Sequence, residues 1–179
     1  MAADDVSGGP SVHPRLRLVA DALVVLAVLP WMTSILVSGA VVAPKVFGIL
    51  GDPARGGEVM QPIFIALGWA YVGLAVLLVL GEILRGISLG WRVLSGVSLL
   101  RLPTSALLTV LALWSALVVN PEMKAIRDSG LTRGQGDAWI RFESLHRLAE
   151  TLATAQLILG ALLLLLVFAG AWRRAAAEG

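Results

Sequence analysis

Four long apolar stretches, separated by shorter polar segments, dominate the pattern of this chain. They run over residues 18–43, 61–84, 102–119 and 137–171. The last begins as an amphipathic helix, DAWIRFESLHRLAETLATAQ, and continues into LILGALLLLLVFAGA, so residues 152–171 carry no formal charge. A helix of about 20 apolar residues crosses a hydrocarbon core of roughly 30 Å. The pattern predicts an all-α protein, a polytopic membrane four-helix bundle.

The polar segments predict where these helices end. Asp137 follows the breaker run GLTRGQG and is a good N-cap, so the fourth helix starts there and extends beyond the bilayer. A short extramembrane helical turn is expected after Pro121, in NPEMKAIRD, and a Gly/Pro turn in VFGILGDPARGGEV. Residues 86–100 fit either an interfacial segment or an extension of the third helix.

The polar and charged ends of the chain lie outside this bundle. Residues 1–17 predict a disordered N-terminal tail, residues 18–174 a single four-transmembrane-helix domain, and residues 175–179 a C-terminal tail. Four crossings place both termini on the same side. Arginines close to the helix ends on that side favour cytoplasmic termini under the positive-inside rule.

The composition indicates an integral membrane protein and argues against several functions. Hydrophobic residues make up 58% and charged residues 15%, with a mean hydropathy of +0.86, so the lipid bilayer is the expected partner. The basic residues stand singly near helix ends, which argues against nucleic-acid binding. The chain has no cysteine, which excludes disulfides and thiolate metal ligands.

Small and polar residues form a stripe on the third and on the fourth predicted helix. Such stripes let membrane helices approach closely, so we expect the two to pack together. A membrane protein partner or a second copy of the chain is a further possibility for these surfaces. The packing residues are Ser105, Thr109, Ala112 and Ala116 on the third helix, and Ala149, Ala153, Gln156 and Gly160 on the fourth.

His146, near one end of the fourth span, is the main candidate for chemistry. An imidazole there can ligate haem or a metal, or relay protons. The structural alternative, which we favour, is a hydrogen bond to Asn120 or to a loop carbonyl. No metal or other cofactor is expected, with haem as the alternative, because a metal site usually needs several converging ligands. The polar neighbours on its own helix are Glu143, Arg147 and Glu150.

Two further polar features have alternative interpretations. Arg101 and Glu82 fall on the same side of the membrane, where they can form an ion pair or line a polar pocket. Both lie near predicted interfaces, so we expect solvated anchors instead. A thin seam of hydroxyl and amide side chains can alternatively serve permeation; its members are Ser34, Ser38, Ser105, Thr109 and Gln156.

Three sequence segments together resemble a known family. SGAVVAPKVFGIL, VVNPEMKAIR and RFESLHRLAETLATAQLILG, in this order, resemble the small bacterial membrane proteins of a domain-of-unknown-function family related to eukaryotic transmembrane protein 205. The resemblance implies a four-span protein of the bacterial inner membrane without an established activity. The family pattern corresponds here to Gly39, Pro44, Phe47, Pro121, Phe142 and His146.

Three functions from different classes therefore follow. The first is a structural or interaction role in the membrane, without classical catalysis. The second is a haem- or metal-binding redox protein that uses His146, and the third is a small transporter. The chain has no nucleophile elbow, P-loop, HExxH or Gly-rich dinucleotide signature, which argues against a hydrolase, kinase or nicotinamide enzyme.

Overall fold

The computed structural model describes residues 14–89 and 97–178, and nearly all of them are helical. Four helical rods are long and apolar enough to cross a membrane: Arg15–Leu50, Pro53–Leu89, Leu99–Asp128 and Gly136–Arg173. No strand occurs within the two described ranges. The predicted all-α, four-helix membrane architecture is therefore confirmed.

Six α-helices and two wider turns build these rods. The first rod contains α1 (Pro14–Val37), a π-helical turn (Ser38–Val42) and α2 (Ala43–Leu50). The second rod is α3 (Pro53–Leu89). The third contains α4 (Val97–Trp114), a π-helical turn (Ser115–Val119) and α5 (Asn120–Asp128), and the fourth is α6 (Gly136–Glu178).

The two π-helical turns share nearly the same sequence and the same backbone. One begins SGAVVAP at Ser38 and the other SALVVNP at Ser115. The N–H of Ala43 donates to the carbonyl of Ser38, and that of Asn120 to the carbonyl of Ser115, five residues back in each case. The proline that ends each sequence has no N–H and removes one ordinary α-helical hydrogen bond. Equivalent sequences thus produce the same wide turn in the first and third rods.

The connection between the first two rods is shorter than the predicted turn over residues 46–59. Only Gly51 and Asp52 lie outside the helices. Gly51 ends α2 with a φ of +61°, a conformation that glycine adopts without strain. The Oδ1 atom of Asp52 accepts a hydrogen bond from the N–H of Ala54 at 2.8 Å, which satisfies a free donor at the start of α3. Glycine and proline here mark helix ends, not a long loop.

The other helix ends also extend past their predicted positions. α1 includes residues 14–17 of the predicted N-terminal tail, and α6 continues through residues 175–178 of the predicted C-terminal tail. Of residues 86–100, the first four belong to α3 and the last four to α4, while 90–96 lie outside the described residues. α6 has 43 residues, about 64 Å of helix, so it does extend beyond a bilayer. The predicted helical turn around Pro121 is α5.

The apolar core lies where α1, α3, α4 and α6 meet. α1 packs along α3, and α6 packs against α4 and α1. Large apolar side chains such as Leu165 and Phe168 point outward, as expected of a surface that meets lipid. The core residues are Val24, Ala27, Val28, Trp31, Ala75, Leu78, Leu108, Ala112, Leu163 and Val167.

The predicted stripes of small residues on the third and fourth rods also contact the first and second rods. α4 packs on α6 as expected. However, a Cβ built on Gly160 of α6 would lie 2.9 Å from Sδ of Met32 on α1. Ala116 and Asn120 lie against Gly68 of α3. In a four-helix bundle each helix has two neighbours, so one stripe of small residues serves more than one interface.

Gly81 of α3 lies close to the backbone of α1, and we expect Gly81→Ala to destabilise the bundle. A Cβ there would lie 3.0 Å from the backbone oxygen of Ala20 and 2.9 Å from Cγ2 of Val24. Because backbone must move, the free energy of unfolding should fall by about 1–3 kcal/mol. Gly73→Ala is the matched control, since an added Cβ has nothing within 4 Å. Equal unfolding curves in sodium dodecyl sulfate titrations of the two variants would contradict this contact.

Candidate functional site

A cluster of charged side chains is buried at the end of the bundle where the first rod begins. Arg101 of α4 stands at its centre: Nη1 donates to Oδ1 of Asp21 on α1 at 2.6 Å, and Nε donates to Oε1 of Glu82 on α3 at 2.7 Å. One guanidinium therefore joins three rods. These contacts also place the start of the first rod, the end of the second and the start of the third at one end.

Two more polar side chains complete this ion-pair cluster. Nη1 of Arg85 lies 3.9 Å from Oε2 of Glu82, and Oγ of Ser105 donates to Oε1 of Glu82 at 3.2 Å. Asp21, Glu82, Arg85 and Arg101 contribute two negative and two positive charges to the cluster. Buried charges persist in an apolar interior only when they are paired and hydrogen bonded.

The burial of this cluster corrects the expectation that Arg101 and Glu82 are solvated anchors. Arg101 is 2% exposed, and Asp21, Glu82 and Arg85 are also buried. The alternative interpretation from the sequence, an ion pair between Arg101 and Glu82, is the one that the structure contains. Sequence reasoning did not include Asp21 among the candidate residues. The available signal was charges of opposite sign in three apolar spans at one end of the bundle.

A second polar group occupies the middle of the bundle. Trp31, which is 1% exposed, donates through Nε1 to Oε1 of Gln156 at 3.0 Å, and its ring stacks on Tyr71 with centroids 5.4 Å apart. Nε2 of Gln156 donates to Oγ of Ser115 at 3.3 Å. The hydroxyl of Ser34 lies 3.2 Å from that of Tyr71. Gln156 thus connects α6 to the first and third rods.

The hydroxyl and amide side chains of the polar seam considered for permeation form hydrogen bonds within the bundle. Ser38 donates to the carbonyl of Ser34 at 2.5 Å, and Thr109 to the carbonyl of Ser105 at 2.9 Å. Gln156 and Ser34 belong to the central group around Trp31. Serine and threonine commonly bond in this way to the preceding turn of their own helix. These hydroxyl and amide donors are therefore engaged within their own helices or in contacts between helices.

His146 lies on an outward-facing part of α6. Its ring stacks on Phe142 with centroids 6.3 Å apart, and its Nε2 lies 3.3 Å from Oε1 of Glu150, one turn along the helix. The side chain is 53% exposed. Glu143 and Arg147 form a separate exposed ion pair at 2.5 Å. Among the residues that the structure describes, no three His, Asp or Glu side chains converge as metal ligands.

Phe142 and its surroundings fasten α6 to the other rods at this end. The guanidinium of Arg127 on α5 lies over the Phe142 ring at 5.1 Å from the centroid. The same Arg127 donates through Nη1 to the carbonyl of Gly57 at 2.6 Å and to Oε1 of Gln61 at 3.3 Å, both on α3. Asn120, the proposed hydrogen-bond partner of His146, instead lies against Gly68. Ala149 and Ala153 are half-buried on α6.

The remaining positions of the family pattern lie around the π-helical turns. Gly39 is exposed, and an added Cβ there would have nothing within 4 Å, so packing does not require glycine. Phe47 packs over Gly56, where an added Cβ would lie 2.3 Å from its ring. Pro44 and Pro121 stand in the first turns of α2 and α5. These positions shape the rods and the contact between α2 and α3.

The fold and the buried cluster define a class: a polytopic four-helix membrane protein with ion pairs between its rods. The chain belongs to a family described as Domain of unknown function (DUF4149), which matches residues 26–131. The match extends from α1 into the connection that follows α5, includes Glu82, Arg85 and Arg101, and ends before α6. Comparisons with curated proteins and with solved structures found no match for this chain.

Proposed function

We propose that this protein has a structural or interaction role in the membrane and does not act as a catalyst. The observation that carries the proposal is the ion-pair cluster, because its charged groups bind one another across three rods. The central group around Trp31 and Gln156 is likewise engaged in contacts between helices. Side chains used in this way stabilise and rigidify a bundle, and the outward apolar faces remain for lipid or a partner.

We also place the chain with the proteins similar to eukaryotic transmembrane protein 205, in the bacterial inner membrane with cytoplasmic termini. SGAVVAPKVFGIL and VVNPEMKAIR support this assignment, and both fall within the region that the family matches. RFESLHRLAETLATAQLILG supports it from outside that region. The arginines near the helix ends on the side of the two chain termini support the cytoplasmic orientation. Reporter fusions at both termini test this orientation.

Photo-crosslinking from inward-facing and outward-facing positions of α6 tests the interaction role. Leu165 is 65% exposed and Leu163 is 0% exposed, so the two positions differ mainly in the side they face. A photoreactive residue at Leu165, or at Ile158 or Phe168, should give a discrete protein adduct in native membranes. The same residue at Leu163 should give only intramolecular products. Lipid adducts alone at every outward position would overturn the interaction role.

Spectroscopy of the purified protein tests the redox alternative independently. We expect no Soret band and no stoichiometric metal, and His146→Ala should leave thermal unfolding in detergent unchanged because the side chain is half exposed. A Soret band that is lost in His146→Ala, and retained in the neighbouring variant Arg147→Gln, would replace the structural role with a haem-binding one.

A further inference from the structure

A crevice between α3 and the end of the third rod is not explained by the contacts described above. It encloses about 100 Å³. Trp69, at its edge, is 63% exposed, and Pro121 is exposed beside it. The crevice therefore opens on the outer surface of two rods that are apolar enough to cross a membrane. Its lining residues are Ile65, Trp69, Ala116, Asn120, Pro121 and Lys124.

Two small residues and a π-helical turn shape this crevice. A Cβ built on Gly68 would lie 3.0 Å from Nδ2 of Asn120 and 3.5 Å from Cβ of Ala116, so α3 and the third rod approach closely behind it. The wide turn Ser115–Val119 begins at the same level. Wide turns of this kind are frequent at functional sites. The small residues Gly68 and Ala116 therefore let α3 and the third rod approach closely beside the crevice.

The chemistry of the crevice changes along the third rod in one direction. Ala116 lies at the inner end, and Lys124 lies about 12 Å nearer the end of the span at 1.5 Å per residue. Asp128, one further turn out, accepts a hydrogen bond from Lys124. The order from inside to outside is therefore apolar surface with the amide of Asn120 at its outer edge, then the Lys124 cation, then the Asp128 anion.

This order is complementary to one kind of lipid headgroup. A phospholipid with an aminoethyl phosphate headgroup presents acyl chain, then a negative phosphate, then a positive amine. The Lys124 ammonium has three N–H donors, and its pairing with Asp128 leaves donors for a phosphate. Both side chains are about half exposed, at 50% and 54%, so their mutual ion pair is weak enough to be shared.

We propose that this crevice binds a phospholipid of the ethanolamine class from the adjacent leaflet. One acyl chain lies against Trp69 and Pro121, the phosphate accepts from Lys124, and the amine donates to Asp128. The site is independent of the proposed structural role and of His146. It gives the otherwise exposed Trp69 and the Lys124–Asp128 pair a common ligand.

Native mass spectrometry tests the site with the full chain released from nanodiscs of equal parts phosphatidylethanolamine, phosphatidylglycerol and phosphatidylcholine. The wild-type protein should retain one ethanolamine lipid in preference to the other two by about two- to fivefold, the range that exposed charge pairs support. Asp128→Asn should remove this preference, and Trp69→Ala should reduce total retention. The controls are Glu143→Gln, in an exposed pair of the same spacing, and Trp172→Ala, at an exposed tryptophan.

Three results would overturn the proposal. The first is equal retention of all three headgroups by the wild-type protein. The second is an ethanolamine preference that survives Asp128→Asn. The third is a phosphatidylglycerol preference that Lys124→Gln abolishes, which would assign the crevice to an anionic lipid. Circular dichroism of each variant establishes that the helices remain folded.

Discussion

Replacing Arg101 with leucine is expected to lower the free energy of unfolding by about 3–5 kcal/mol, the largest effect of any charge substitution in this chain. The substitution leaves Asp21 and Glu82 buried without the cation that both of them bind. Carboxylates in an apolar interior cannot recover this interaction from water. Reversible unfolding in mixed micelles, followed by tryptophan fluorescence, measures the change.

Two comparison variants separate charge burial from loss of packing. Arg147→Leu removes an arginine from an exposed pair with Glu143 and should leave stability nearly unchanged. The quadruple variant Asp21→Asn, Glu82→Gln, Arg85→Leu, Arg101→Leu removes all four of these charges together, leaves no member of the set unpaired, and should recover most of the loss. If Arg101→Leu costs no more than Arg147→Leu, the cluster is solvated and our account of it is wrong.

Trp31→Ala is expected to cost about 3–5 kcal/mol, because it empties the largest fully buried side-chain volume in the core. It also removes the stacking on Tyr71 and the donor to Gln156. Trp172→Ala serves as the control at 78% exposure and should have little effect. Thermal unfolding in detergent, with both variants in parallel, measures the difference.

Trp31→Phe divides this effect into its two parts. A phenyl ring keeps much of the packing on Tyr71 but leaves Oε1 of Gln156 without its donor, so the expected loss is about 1–3 kcal/mol. A loss equal to that of Trp31→Ala would mean that the hydrogen bond carries the whole effect. No loss would mean that Gln156 finds another donor, and that the central group does not connect α6 to the first rod.

The membrane-spanning rods follow from the sequence because their signal is local. A run of apolar residues longer than a bilayer requires predicts a span without knowledge of its neighbours. The ends of the rods were predicted less accurately. A Gly and a Pro close together, such as Gly51 and Pro53, can mark either a long turn or the end of one helix and the start of the next. The short connection depends on the capping geometry of Asp52, which a composition pattern does not specify.

The buried cluster could be predicted only in part because its contacts join distant positions. Glu82 and Arg101 were paired as one alternative, yet their closeness to the helix ends favoured solvation. Their burial depends on how closely the first rod approaches, and that approach depends on Gly81. The same limit applies to Gly160 of α6, which lies against Met32 of α1, a neighbour that the sequence did not indicate.

The similarity between the segments SGAVVAP and SALVVNP is visible in the sequence, but it did not enter the prediction of the fold. Each contains serine, two valines and proline at the same spacing, and each produces a π-helical turn. The residues of the family pattern at Gly39, Pro44 and Pro121 belong to these segments. His146 stays a candidate from sequence alone, since the structure gives it Phe142 and Glu150 as neighbours and tests no ligand.

The position of Arg101 in the chain order has a consequence for biogenesis. An arginine that enters lipid alone is costly, and the cost is highest before its counterions arrive. Here both counterions, Asp21 and Glu82, belong to spans that leave the ribosome earlier. The third span can therefore leave the translocon against a helical hairpin that already carries Asp21 and Glu82, so synthesis in chain order supplies both carboxylates before Arg101 enters the membrane.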